Sequence, residues 1–298
     1  MTNKLATDFI RHQADFDYCE RIIEHHSKSF YAAFSRLPEQ KAMSVYAIYA
    51  FCRRADDAID VEKNPEKLAE LKAQLGAFQK GDHPDEPLWR ALAVVFKHYP
   101  LDIQAFYDML EGQRRDIKFQ QPATQQELEE YSYYVAGSVG LMLLPLLSQN
   151  WEKIIEEAKQ LGEAMQITNI LRDIGEDEAQ GRIYLPKDKM AEYGVTPEDL
   201  KQHRQTAEFA QLWEYEAQRA EASYQKGLTM MPWIDEDCRT PLLAACYFYR
   251  EILEVVREND YQVFTQKHAV KQARKLRIFQ AIRKELAKID QQKESVRR

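Results

Sequence analysis

The stretch Gln166–Arg182, QITNILRDIGEDEAQGR, closes a long segment of helical period. Upstream of it Ile154, Ile155, Ala158, Leu161 and Met165 form an apolar stripe. At about 100° per residue, Asn169, Arg172, Asp173 and Glu176 fall within roughly 60° of the centre of that stripe, and Asp177 sits at its rim. A helix face that turns from apolar to acidic places carboxylates where they are costly unless paired or bound to a cation. A cavity in which these groups hold metal ions accounts for the pattern.

A second stretch repeats it. In Ala42–Asp60, AMSVYAIYAFCRRADDAID, the stripe is Val45, Ile48, Tyr49, Cys52 and Ile59. Asp56 lies on the stripe, Asp60 one turn further on, Arg53 close beside them, and Asp57 is expected to point further off. Either cluster alone reads as a solvated acidic face. Two clusters that both continue a core stripe favour the cavity.

The 298 residues are enough for a large core, and 45% hydrophobic with 30% charged residues and only 10 glycines suits a helical globular enzyme. The net charge of −7 argues against general binding to nucleic acid or anionic lipid. It is unevenly spread: 267–298 holds 11 Lys/Arg against 3 Asp/Glu. Such a basic helix or tail can touch a membrane surface or a phosphate, or simply be a soluble terminal helix. Cys19, Cys52, Cys238 and Cys246 show no CxxC pairing, so a reducing cytoplasm is the expected setting. No secretory signal and no membrane-spanning run is visible.

Almost every segment has helical period. Helices are expected near 12–26, 39–60, 65–78, 87–98, 102–117, 124–144, 151–178, 206–230, 237–258 and 270–288, broken at Asn64-Pro65, Gly81 to Pro87, Pro100, Gln121-Pro122, Pro186, Thr196-Pro197 and Pro232. With no strand alternation, repeat or linker, one all-α domain over 1–298 is the expectation.

Three further stretches carry chemistry-bearing residues. His26-Ser27-Lys28-Ser29-Phe30 could grip a phosphate, or a serine could simply cap a helix. Glu111–Asp116, EGQRRD, reads as an exposed ion-pair face. Tyr131–Gly140, YSYYVAGSVG, sets Ala136, Gly137, Ser138 and Gly140 in a helical pattern, where each glycine costs about 1 kcal/mol against alanine. Close helix packing and room for a ligand, with a kink at Gly137 or Gly140, both account for it.

Walker, GxSxG and Glu-x-x-His patterns are absent. Carboxylates at i,i+4 with Asn and Gln are hard oxygen donors suited to Mg²⁺, which usually bridges to substrate phosphates. Arg53, Arg172 and the His26–Ser29 group would complement the same anion, so the residues read as a diphosphate–Mg²⁺ site. An apolar lining implies an apolar body on that diphosphate.

These residues resemble the squalene/phytoene synthase family of head-to-head prenyl transferases over nearly the whole chain. The matching stretches are HSKSF at 26–30, CRRADDAID at 52–60, YYVAGSVG at 133–140, QITNILRDIGEDEAQGRIYLP at 166–186 and YREILEVVREND at 249–260. Around HSKSF, AIYAFCR and RIYLP the wording is most similar to the bacterial dehydrosqualene (4,4'-diapophytoene) synthases. The resemblance implies an all-α isoprenoid (terpenoid) synthase fold with helices around a central cavity, and two prenyl diphosphates bound there with two or three Mg²⁺. It implies metal binding by Asp56, Asp60, Asn169, Asp173 and Asp177, and diphosphate binding by Arg53, His26, Ser27, Ser29 and Arg172. Tyr131, Val135, Val139, Gly140 and Gln166 would line the prenyl channel, with Phe30, Phe34 and Tyr249 nearby. Arg53, Asp56, Asp60, Tyr131, Asp173 and Asp177 would carry the catalysis.

The implied reaction joins two farnesyl diphosphates through presqualene diphosphate to dehydrosqualene, an early step of C30 carotenoid biosynthesis, without NADPH. Phytoene synthase, on C20 substrates, and squalene synthase, with NADPH, are the alternatives. A non-catalytic relative would be expected to lose an acidic motif, and this chain keeps both. The resemblance also allows a peripheral contact with the inner face of the membrane and a downstream carotenoid desaturase as partner. One departure stands out. Similar enzymes often carry an Arg shortly after the YxVF segment, whereas here Tyr261-Gln262-Val263-Phe264 is followed by Thr265-Gln266-Lys267. Lys267 and Arg274 are the candidates for its place, and Lys gives no bidentate fork.

Overall fold

The structure, a computed structural model, describes residues 2–297. Arg298, at the end of the basic stretch 267–298, lies outside the described residues, as do the side chains at 2, 3, 272, 275, 290 and 292–297. Among the described residues there is no strand. The helices are α1 (Thr2–Arg11), α2 (Gln13–His26), α3 (Lys28–Phe34), α4 (Glu39–Asp60), α5 (Pro65–Gln79), α6 (Pro87–His98), α7 (Ile103–Ile117) and α8 (Gln125–Ser132). After a π-helical turn at Tyr133–Gly137 come α9 (Ser138–Leu147), α10 (Ile155–Ala179), α11 (Lys187–Tyr193), α12 (Pro197–Lys201), α13 (Ala207–Leu228), α14 (Glu236–Glu258) and α15 (Gln272–Arg297).

The ends of these helices follow local chemistry. Asn64 caps α5 by accepting from Glu66 N–H, with Pro65 in the first turn. Thr196 and Asp199 form a reciprocal capping box on α12. Thr206 caps α13 through Phe209 N–H. Gly194 ends α11 with φ +70°, the left-handed conformation that glycine adopts without penalty. The helices α1, α3, α11 and α12 lie outside the expected set, and in the last three one or two turns carry too few apolar positions to show a period.

The chain forms two compact units, each built from three segments. The first is Met1–Ile117, Ser138–Ile155 and Trp233–Ala245; the second is Lys118–Gly137, Glu156–Pro232 and Cys246–Arg298. In the first, α4 packs against α2, α5, α6, α7 and α9. That is why it is apolar around most of its circumference, with Ala47, Ile48, Phe51 and Ala55 all fully buried. Phe51 sets its ring edge-on to Trp89 and Phe106, at 5.9 and 5.1 Å between centroids.

In the second unit α10 is the central helix. Ile167, Leu171 and Ile174 bury against Trp213, Leu253 and Phe264, and Trp213 Nε1–H donates to Leu171 O at 3.1 Å. Backbone runs close to α10 at its glycines. A Cβ on Gly162 would lie 2.4 Å from Ala136 O, and one on Gly175 2.6 Å from Phe264 Cα. Close packing therefore requires glycine at 162, where the backbone of Ala136 and Gly137 takes the place of a side chain. A π-helical turn at Tyr133–Gly137 divides what the sequence suggested was one helix over 124–144.

Candidate active site

In the first unit, α4 stacks Tyr49, Arg53, Asp56, Asp57 and Asp60 on successive turns. Arg53 Nη1 pairs with Asp56 Oδ2 at 3.0 Å, and Nη2 donates to Asp57 Oδ1. Asp57 thus belongs to the cluster, contrary to the expectation that it points away: at i+4 its carboxylate lies within reach of the guanidinium. Tyr49, one turn earlier, is close enough to act on Arg53. Burial and the Asp60 charge hold the Asp56 carboxyl up at about 6, and Asp116 adds to the effect. Asp116 is itself buried, so the segment read as an exposed ion-pair face turns its last acid inward.

His26 ends α2 near Arg53, and loss of water together with that positive charge holds its pKa below the usual range, favouring neutral imidazole. Ser27 sits at the α2–α3 junction in a non-helical conformation with no side-chain cap hydrogen bond, so its hydroxyl is not used as a cap. Ser29 is exposed on the first turn of α3. Phe30 is half-buried and packs on Phe34, 5.5 Å between centroids, while Phe34 is in the core at 2% exposure.

In the second unit, Arg172 Nε donates to Asp173 Oδ1 at 2.7 Å and Nη2 donates to Oδ2. Tyr249 of α14 lies beside this pair, its hydroxyl pushed up by burial. The Asn169 Oδ1 is buried with no hydrogen-bond partner in the protein. Tyr131 stacks on Tyr184 at 5.1 Å, in a small cluster that includes Ile170 of α10. The RIYLP segment thus brings Tyr131 to the helix that bears the second acidic motif. Gln166, Val135, Val139 and Gly140 are half-buried.

Asp177 stands at the end of α10, where its carbonyl accepts from Arg182 N–H across a turn made by Gly181 at φ +77°. Glu176, placed by the helical count near the centre of the buried face, instead faces water and pairs with Lys267 at 2.8 Å. The helix count fixes an angle but not where the neighbouring loop ends. Arg274 is engaged by Glu251 and Glu258 of α14. Of the two candidates for the late cation, Lys267 is the one tied to α10.

Among the described residues no three His, Cys, Asp or Glu side chains gather into one metal-binding group. Mg²⁺ usually takes one or two carboxylates and completes its shell with water and substrate phosphate, so the donors present fit it. The unpartnered Asn169 Oδ1 is a buried acceptor that a cation would satisfy. Burial first, and the Asp60 charge after it, hold the Asp56 carboxyl up, and a cation beside it would favour the ionised form.

All-α units carrying two Arg–Asp acidic faces suited to Mg²⁺ and diphosphate define a prenyltransferase of the isoprenoid-synthase class. The chain belongs to the squalene/phytoene synthase family, which matches residues 23–277. A solved dehydrosqualene synthase in complex with ligand is 50% identical, with a TM-score of 0.92 over 94% of this chain and 99% of that one. The 4,4'-diapophytoene synthase of Staphylococcus haemolyticus (strain JCSC1435) is 35% identical over 257 residues, 84% of this chain and 90% of the relative. The chloroplastic phytoene synthase of an Oncidium hybrid cultivar is 35% identical over 286 residues, 93% of this chain and 69% of the relative. The protein is therefore a prenyltransferase of isoprenoid and carotenoid synthesis, acting by head-to-head condensation of prenyl diphosphates, in a family that uses Mg²⁺. No helix among the described residues is long and apolar enough to cross a membrane.

Proposed function

We propose that this enzyme condenses two farnesyl diphosphates, through presqualene diphosphate, to dehydrosqualene (4,4'-diapophytoene), and that residues 1–298 act as one catalytic domain. The observation that carries the reading is the 50% identity to a dehydrosqualene synthase structure over nearly the full length of both chains. Asp56, Asp60, Asn169, Asp173 and Asp177 would hold two or three Mg²⁺, which supply positive charge for the departing diphosphate. Arg53, Arg172, His26, Ser27 and Ser29 bind and orient the diphosphates.

The C1–O bond of one substrate breaks, and the allylic cation is captured by the double bond of the second. Loss of a proton closes the cyclopropane of presqualene diphosphate. A second ionisation, rearrangement and proton loss give the C30 hydrocarbon, with no hydride needed. Tyr131 and Tyr249 offer aromatic faces to the cations. Phe30, Phe34, Val135, Val139, Gly140 and Gln166 set the prenyl channel. The enzyme works in the cytoplasm and contacts the membrane peripherally, since the product carries no polar group and passes to a desaturase.

The test is product analysis by mass spectrometry after incubating the purified chain with Mg²⁺ and C15 or C20 diphosphates, with and without NADPH. Dehydrosqualene from C15 substrate in both conditions is expected. Mostly C40 phytoene, or squalene formed only with NADPH, would replace this reading by one of the two sister activities.

A further inference from the structure

Asp57 is the carboxylate of the first acidic motif to which neither the metal nor the substrate assignment gives a part. Its position is specific. Arg53 divides its two terminal nitrogens between neighbouring carboxylates: Nη1 pairs with Asp56 Oδ2 at 3.0 Å, and Nη2 donates to Asp57 Oδ1. Arg53 Nε–H is buried with no partner. Asp57, Arg53 and His26 line one polar cleft of about 440 Å³, and Asp56 is not among its walls. The guanidinium is thus held from the cleft side by Asp57 and from another side by Asp56.

Those two contacts have different fates if the proposed function holds, and the inference rests on that reading. A cation held by Asp56 would compete with Nη1 for the Oδ2 that it now engages, and would free that N–H. The freed N–H then needs a new acceptor, and the nearest chemistry of the right sign is a diphosphate oxygen. Nη2 has no such competitor, because Asp57 is assigned to no ion. We infer that Asp57 is the positioning residue for Arg53: it fixes one prong of the guanidinium to α4 while the other passes from Asp56 to the diphosphate. Without Asp57 both prongs can close on Asp56, as Arg172 closes on Asp173. Arg53 would then compete with the cation instead of serving the anion.

Asp57→Ala and Asp57→Asn separate this role from a merely structural helix ion pair. The position is half-buried and alanine is the best helix former, so Asp57→Ala is expected to fold. Binding of inorganic diphosphate in the presence of Mg²⁺ is measured by calorimetry on the full chain, alongside steady-state kinetics with farnesyl diphosphate and thermal unfolding. Asp57→Ala is expected to weaken diphosphate binding and raise KM about tenfold, the scale of one charge-assisted hydrogen bond, with kcat changed less than about threefold. Asp57→Asn, whose amide oxygen still accepts from Nη2, is expected to recover most of that loss. Unchanged binding by Asp57→Ala overturns the inference, as does an Asp57→Asn variant as weak as Asp57→Ala, or a loss that tracks a lower unfolding temperature. If the unsubstituted chain itself does not bind Mg²⁺ and diphosphate, the proposed function falls and takes this role with it. Binding by the unsubstituted chain that Asp57 does not affect removes the positioning role alone.

Discussion

Arg172 closes a bidentate ion pair on Asp173, its neighbour in the chain, with Nε donating to Oδ1 at 2.7 Å. Adjacent helical residues lie about 100° apart and do not normally face each other. Here both side chains lie on a half-buried face beside Tyr249, where each gains more from the other than from the little water left. Arg53 and Asp56 make the related contact in the other acidic motif. In each motif the group suited to the anion neutralises the group suited to the cation, so Mg²⁺ and diphosphate are expected to bind as a couple.

Asp56→Ala and Asp173→Ala should each lower turnover of farnesyl diphosphate by about a thousandfold or more, since each removes charge stabilisation at an ionising diphosphate. Circular dichroism should show intact helices, because each change removes a carboxylate from an acidic face. Turnover within tenfold of the unsubstituted enzyme in either variant would return that carboxylate to a surface role.

Chelation of divalent cations by EDTA should abolish product formation, and Mg²⁺ should restore it, because the donors are hard oxygens. Calorimetry should also show inorganic diphosphate binding weakly or not at all in EDTA. Full activity in EDTA sinks the metal assignment.

Glu216 gives a pH signature that does not involve the active site. It is fully buried, accepts one hydrogen bond from Gln125 Nε2 at 3.1 Å, and leaves Oε1 without a partner. Burial raises its pKa to about 7, against opposing contributions from Gln125 and Lys189, with Asp188 adding slightly to the rise. The folded protein then holds a proton that the unfolded chain has already released, so stability falls as pH rises from about 4.5 to 7. Glu216→Gln should match the parent near pH 4.5 and exceed it by about 3 kcal/mol at pH 8. Equal denaturant midpoints at pH 8 would show that the carboxylate is hydrated.

Two glycines should respond in opposite directions. Gly175→Ala drives a methyl into Phe264 backbone at 2.6 Å and should destabilise by about 1–3 kcal/mol. Gly76→Ala meets only Tyr107 Oη at 3.6 Å and should stabilise by about 0.5–1 kcal/mol through helix propensity. Urea midpoints of the purified variants decide both.

Phe30→Ala should raise the ratio of C40 to C30 product in a mixed C15/C20 assay, because a closed channel rejects an extra isoprene unit by overlap. A ratio no higher than that of the parent would remove Phe30 from the proposed channel lining.

Much of this was legible in the residues. The helices expected over 39–60 and 87–98 stand at Glu39–Asp60 and Pro87–His98, because long apolar periods and proline or asparagine boundaries act locally. Arg53, Asp56, Arg172 and Asp173 were legible because a carboxylate on a core stripe conflicts with its surroundings. The partnership of Asp57 with Arg53 and the inward turn of Asp116 were not, since a residue's angle on its own helix does not say which side chain meets it.

The sequence by itself determined that the chain is helical, where most helices begin and end, and which polar residues lie on faces that also carry core. Those properties depend on neighbours a few positions away, which the sequence contains. Only the tertiary structure decided that Gly162 of α10 must be glycine, because the backbone of Ala136 and Gly137 crosses it. It alone set Glu176 out to Lys267, put Tyr131 against Tyr184, and divided the guanidinium of Arg53 between two carboxylates. Each of these depends on the distance between atoms that meet only after the helices pack, and at 3 Å a shift of one ångström decides whether a hydrogen bond exists.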